Sequence, residues 1–237
     1  MEDKFLYLQT HPFFGIFLTL LFYIIGMKIH QRWKSPFTMP LIIAIVSIIL
    51  VLMGTKLPYK SYLEGGKYVS VWITPATVAL AIKMEKYYPT LKANIKSILV
   101  GIGLGVLMHT LLVLILVKVF GLSGKFFATL YPKSVTTAIA MGVSESMGGY
   151  VSLTLGLVVF TGIVGAALAP LVFKVFGINH GVAQGIALGT SAHAVGTTKA
   201  IEYGELQGAM SGLAITVTGI ITVILAPLAR LIVEMLF

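Results

Sequence analysis

The chain has 237 residues, of which 57% are hydrophobic and 11% charged, where soluble domains carry roughly 25% charged residues; with a mean hydropathy of +0.98 it is excluded from the soluble class. Its formal charge of +9 does not indicate a nucleic acid, because the lysines lie between apolar runs, as in membrane proteins whose basic loops stay inside. The absence of cysteine excludes disulfides and thiolate metal sites.

A bilayer-crossing helix needs about 20 mostly apolar residues. The N-terminal Met1-Glu-Asp-Lys4 has no basic leader character and no small-residue cleavage site follows the first apolar run, so the first span is expected to be retained. Spans are expected at 13–29 and 37–53, separated by Lys28, Arg32 and Lys34 with no acid, which marks that loop as cytoplasmic. A third, at 66–84, follows Gly65-Gly66 and is interrupted at Thr74-Pro75. Proline favours a first helical turn and threonine the cap before it, so a half-helix starting inside the membrane is expected there; a packed proline kink is the alternative. Lys83, Lys86, Lys92 and Lys96 face only Glu85 in the next loop, a second cytoplasmic connection.

The span expected at 95–118 contains Gly101-Ile-Gly-Leu-Gly105. Without a preceding strand or a third glycine at the right spacing this is no nucleotide fingerprint; it reads as a helix-packing stripe. Spans at 150–174, with Gly156, Gly162 and Gly165, and at 207–233, with Gly208 and Gly212, carry similar small residues. These stripes suggest a homo-oligomer.

Two polar stretches interrupt this apolar sequence: Tyr131-Pro-Lys-Ser-Val-Thr-Thr-Ala-Ile-Ala140 and Leu188-Gly-Thr-Ser-Ala-His-Ala-Val-Gly-Thr-Thr-Lys199. Broken polar backbone at membrane depth is tolerated only when buried in protein or lining a cavity, and paired interrupted helices point to a transporter's binding site. The two stretches are related by an internal echo. Lys118-Val-Phe-Gly121 recurs as Lys174-Val-Phe-Gly177, and the same 56-residue offset places Ser134 on Thr190 and Thr137 on His193. If each stretch is a re-entrant hairpin, one span separates the copies and they are inverted; if each crosses fully, they are parallel.

Lys133 supplies a cation, with Ser134, Thr136 and Thr137 behind it; a lysine snorkelling to the interface is the other reading. In the second stretch His193 is flanked by Thr190, Ser191, Gly196 and Thr197. Imidazole donates to carboxylates and titrates near neutrality, so this reads as part of an anion site, to which half-helix N-termini would add free N–H groups. Thr74, Pro75 and Thr77 are expected to join it. Glu145 and His193 are the candidates for proton coupling. His11, His30, His109 and His180 read as interfacial or packing residues. Enzyme chemistry lacks support: Asp3 is the only aspartate, there is no H-E-x-x-H, and a serine–His193 pair has no nucleophile elbow behind it.

Gly65-Gly-Lys67, Pro75-Ala-Thr-Val-Ala-Leu-Ala-Ile82, Pro132-Lys-Ser-Val-Thr-Thr137 and Gly189-Thr-Ser-Ala-His-Ala-Val-Gly-Thr197 together resemble the LrgB/CidB family, from about residue 5 to the end. The chain departs from the family pattern at Thr74, where glycine commonly stands, and at Lys83 and Ala138, where proline is frequent. The resemblance implies either a carrier of small monocarboxylates, as in the related plastidial glycolate/glycerate translocator and in members linked to pyruvate uptake, or a holin- or antiholin-like pore or regulator of murein hydrolases and autolysis. It also implies a smaller LrgA/CidA-like membrane partner. The expected architecture is thus an all-α polytopic membrane protein of about six to eight segments with broken or re-entrant helices, located in the cell membrane. It is read as a single membrane domain over 1–237, with 1–60 as scaffold or oligomerisation spans and 61–237 as transport core; no cofactor or metal is expected.

Overall fold

The computed structural model describes residues 11–33, 35 and 38–236, apart from the side chains of Thr77, Leu80, Ala81, Lys83 and Met84. Met1 to Lys4, including Asp3, and Lys34 therefore lie outside the described residues. The described chain is helical, with no strand, and divides into units Met1–Val78 and Ala79–Phe237.

In the first unit, α1 (Pro12–Arg32) and α2 (Pro40–Thr55) each begin at a proline that has no N–H to leave unpaired. Helix α3 (Tyr59–Ser70) crosses α1 where Gly15 meets Gly65, a contact at which a Cβ on either residue would collide with the other helix's backbone. The Thr19 and Tyr62 hydroxyls bond there at 2.9 Å. A turn at 71–72 then separates α3 from α4 (Ile73–Lys86). The expected break is present, with Pro75 inside the first turn of α4 and the helix beginning one residue before Thr74.

The second unit contains α5 (Tyr88–Val119), α6 (Gly124–Leu130), a 3-10 turn (Tyr131–Ser134), α7 (Thr137–Ser146), α8 (Val151–Val175), α9 (Gly181–Tyr203) and α10 (Glu205–Leu236). Helices α1, α5, α8 and α10 are long and apolar enough to cross a membrane, and with the shorter apolar α2 they make this a multi-pass membrane protein.

Contacts with α10 define the path of the chain. Along α10, Leu206 and Met210 pack near Tyr87, Leu91 and Ile98, whereas Ala226 and Val233 pack near Val113 and Val117, so α5 and α10 run parallel. Helix α8 runs oppositely: its Thr154 bonds Thr129, while its Phe173 packs on Tyr203. Between these spans lie two hairpins. Gly124 approaches Val233 and Ile139 approaches Gly219. Tyr131 Oη donates to Thr222 O at 2.9 Å, and Arg230 Nη1 donates to Ser146 O at 3.3 Å. Residues 124–146 thus enter from the C-terminal end of α10, turn near its middle and return.

Helix α9 enters from the other end. Its first arm follows α10, with Gly185 on Gln207 and Met210 and Gly189 on Ser211 and Ala214. Its return arm runs back, with Thr197 on Ser211 and Ile201 on Gly208. The arm 181–192 is roughly 18 Å long, a little over half the ~30 Å hydrocarbon core. Both hairpins end near the middle of the membrane.

The two copies are consequently inverted, and the turns that open them match. Phe120 N–H bonds Leu116 O and Leu122 N–H bonds Val117 O; Phe176 N–H bonds Val172 O and Ile178 N–H bonds Phe173 O. Gly121 at φ +62° and Gly177 at φ +65° supply the left-handed residue each Schellman turn requires. Lys86, Lys92 and Lys96 identify the α5 N-terminal face as cytoplasmic. At that face Lys86 Nζ lies 2.7 Å from Glu205 Oε2, and this bond holds the exposed ammonium above its ordinary pKa.

Candidate functional site

The first tip is built by a helix that cannot continue. Pro132 is the second residue of the 3-10 turn, Val135 is extended at φ −113°, ψ 178°, and Thr136 at φ −64°, ψ 151° is the N-cap of α7. The first bond of α7 runs from Ala140 N–H to Thr136 O at 2.8 Å, so the earlier N–H groups of that turn point toward the tip. Tyr131 anchors the arm: it is fully buried, stacked on Phe127 at 5.5 Å and bonded to α10.

The second tip is His193, whose φ of 41° and ψ of −127° interrupt α9. Such a conformation costs on the order of 1–3 kcal/mol in a residue with a side chain, and the surroundings hold it in place. His193 Nε2–H donates to Val158 O at 2.9 Å. Gly162 leaves space for the imidazole and Gly165 for Ala192. A Cβ on Gly196 would strike Leu188 O, so glycine lets the two arms touch. Thr197 Oγ1 bonds His193 O at 3.1 Å and Ser211 Oγ at 2.8 Å.

A cavity of about 1100 Å³ lies between α5, α8, the first arm of α9 and the 3-10 turn. Lys133, Ser134, Thr190 and Ser191 line its deep end; Asn94, Ser97 and His180 line the end toward the cytoplasmic face. No acidic side chain lines it among the described residues. Lys133 lies within electrostatic reach of both His109 and His193. Lys133 itself belongs to the tip of a hairpin that turns in mid-membrane.

Four of the expected residues, Lys133, Ser134, Thr190 and Ser191, therefore share one wall. Ser191 Oγ donates to Ala187 O at 2.7 Å, and Thr190 Oγ1 is buried without a partner among the described residues. His193, Gly196 and Thr197 are buried behind that wall, where they join the hairpin to α8 and α10. Thr136 and Thr137 occupy the first tip without lining this cavity. Glu145 is exposed in the last turn of α7, far along the helix from the tip. Thr74 and Pro75 are exposed in the first turn of α4, and the Thr77 side chain is outside the described residues.

One expectation needs correction and another is met only in part. His109 is not an isolated packing residue: it lines the cavity, and its Nε2–H donates to Tyr131 O at 2.8 Å, just before Lys133. Its partner is remote in sequence, and for that reason local composition did not single it out. Within the chain the Gly101–Gly105 run packs only at one end: Cβ atoms at Gly101 and Gly103 would meet nothing within 4 Å among the described residues, while one at Gly105 would meet Thr190 Cγ2 at 3.0 Å. Gly101 and Gly105 line the cavity. Among the described residues, no group of three or more His, Cys, Asp or Glu gathers to hold a metal.

Comparison with known proteins identifies the family. The model of the LrgB-like family matches residues 19–232. An antiholin-like protein LrgB of Bacillus cereus (strain B4264) is 37% identical over 218 residues, covering 92% of this chain and 95% of that protein. The antiholin-like protein LrgB of Bacillus anthracis (strain A0248) has the same identity and coverage. No solved structure matches.

Proposed function

The chain belongs to the LrgB-like family, and from that premise we propose that it is a membrane carrier of small monocarboxylates of the glycolate, glycerate, pyruvate and lactate class, without catalysed chemistry. The observation that carries the reading is the meeting of two hairpin tips from opposite faces, with Lys133 exposed to a cavity that reaches toward one face only. A lysine at membrane depth is costly and marks a substrate path. Broken helices at the midplane between inverted repeats are where secondary carriers bind their cargo. Ser134 and Ser191 line the same cavity as Lys133, and His109 holds the backbone at Tyr131, two residues before Lys133.

The name of the curated relatives favours a second reading more directly than the first: an antiholin-like component, to which the family resemblance adds regulation of murein hydrolase activity and autolysis. A homo-oligomer, or a complex with a smaller LrgA/CidA-like protein, belongs to either reading. Uptake of labelled glycolate or pyruvate into proteoliposomes separates them. Saturable uptake whose affinity falls roughly tenfold to hundredfold in Lys133→Ala is the outcome expected of the carrier. Release of large dyes without saturable uptake supports the antiholin-like reading and sinks the carrier.

A further inference from the structure

Taking the carrier reading as its basis, we infer that the outer half of the cargo's path runs between α5 and the first arm of the 124–146 hairpin, where the side chains of Phe127 and Tyr131 now stand, and that these two aromatics shut it.

The repeat gives the first argument. The 56-residue offset that matches the two Schellman turns also places Phe127 on Ala183 and Tyr131 on Ala187. In both copies the arm packs on the span before it. Phe127 and Tyr131 join Val113 and Val117 of α5, and Ala187 packs against the cluster of Ala169 and Phe173 on α8. The alanine copy borders the large cavity, with Ala183 and Ala187 both in its wall. The aromatic copy is solid, and both rings are fully buried. In carriers built from inverted repeats the two faces are reached in turn. The space open toward the cytoplasmic face in the second copy has its counterpart toward the outer face in the first, and there two rings fill it.

The second argument is the place of the pair between two cavities. Leu130 packs against the core around Phe127 and Tyr131 and also lines the cavity that holds Lys133. Val143 and Ala226 belong to the same core and line a second cavity of about 480 Å³ between α7 and α10, toward the outer face. The core built on the two aromatics therefore borders both.

The third is that the arm can move as a body. It lies between Gly121, at φ +62°, and the extended Val135, and hinges are commonly such element-terminal residues. Its tie to α10 is the single bond from Tyr131 Oη to Thr222 O.

The chain contains no cysteine, so one Ser134→Cys substitution reports access to the deep end of the large cavity when a membrane-impermeant methanethiosulfonate is added to right-side-out or to inverted vesicles. With both aromatics present, modification should be fast from the cytoplasmic side and slow from the outer side. Phe127→Ala with Tyr131→Ala should raise the outer rate about tenfold or more, since tenfold corresponds to about 1.4 kcal/mol, less than truncating one buried aromatic removes from a core. The cytoplasmic rate should not change. Tyr131→Phe keeps both rings and loses only the Thr222 bond, so it should fold as the parent does and raise the outer rate by less. Ala183→Phe with Ala187→Tyr transfers the obstruction and should slow modification from the cytoplasmic side. Outer rates that no change at 127 or 131 raises, a cytoplasmic rate indifferent to the transferred aromatics, or equal rates from both sides in the parent would each overturn the inference. Uptake of labelled lactate by the same variants without the cysteine separates the two readings. Saturable uptake with unresponsive outer rates sinks this inference and leaves the carrier standing; no saturable uptake of lactate or pyruvate sinks both.

Discussion

His193 Nε2 lies 2.9 Å from the carbonyl oxygen of Val158, so the residue at the turning point of one hairpin is held by the middle of the span between the two hairpins. The bond offsets a backbone at φ 41° that alanine would adopt at a cost. His193→Ala is expected to destabilise by about 1–3 kcal/mol, the loss of a buried bond. His193→Gly should lose the same bond and relieve the strain, ending about 1 kcal/mol more stable than the alanine variant. Within an uninterrupted helix the order is the reverse by a similar amount. Thermal unfolding in mild detergent decides it, and alanine at or above glycine would show that the turn is unstrained.

Glycines in this chain divide by what surrounds them. At Gly189 and Gly196 an added Cβ would meet the Ser211 and Leu188 carbonyl oxygens, whereas at Gly103 it meets open space. Alanine at either of the first two sites should cost about 1–3 kcal/mol or more through overpacking. Gly103→Ala should gain up to about 1 kcal/mol from helix propensity. Equal melting temperatures for all three would contradict the tight hairpin.

The site itself separates binding from support. Lys133→Ala removes a charge-assisted bond, worth about 1.5–3 kcal/mol, so substrate affinity should fall roughly tenfold to hundredfold with little change in melting temperature. His109→Ala should weaken affinity less, by releasing the Tyr131 carbonyl, and His109→Gln should restore part of it through the amide N–H. His193→Ala should act chiefly on stability. Titration of labelled substrate against each purified variant gives the ranking; a His193 effect on affinity as large as that of Lys133 would return the imidazole to the binding wall.

Two buried hydroxyls, Thr190 Oγ1 and Thr218 Oγ1, have no partner among the described residues. Thr218 lies on α10 between Ala214, which touches the second hairpin, and Thr222, which receives the Tyr131 hydroxyl. Valine has the same shape and no hydroxyl to desolvate, so Thr218→Val is expected to be neutral or stabilising by about 1 kcal/mol. A loss of more than 1 kcal/mol on melting would mean that Thr218 is bonded in the membrane.

Much of the fold was legible because membrane sequence is constrained by length: an apolar run must cross, and a polar stretch holding a proline or glycine is where it can break. The breaks at Pro75 and Pro132, the interruption of the polar stretch around His193 and the repeated Lys-Val-Phe-Gly turn followed from that rule, whereas Pro170 and Pro227, in apolar surroundings, stay inside α8 and α10. The site was legible only in part. Lys133 and His193 attract notice equally as polar residues in apolar sequence, yet one lines the cavity and the other is buried behind it, because the hairpin's rotation about its own axis has no local signature. His109 gains its role from Tyr131, 22 residues away, and Gly101 from the absence of any neighbour. Both are properties of packing between elements.

The matched turns also bear on how the ribosome-bound chain acquires its orientation. A unit consisting of one crossing and one re-entrant hairpin reverses direction each time it recurs, so Lys118 and Lys174, identical in local setting, lie near opposite faces of the bilayer. As retention signals for the insertion machinery they oppose each other, and the duplicated region carries no net instruction of its own from this pair. The instruction must come from basic residues that were not duplicated, and Lys28, Arg32 and Lys34, then Lys86, Lys92 and Lys96, all synthesised before either hairpin, are placed to give it.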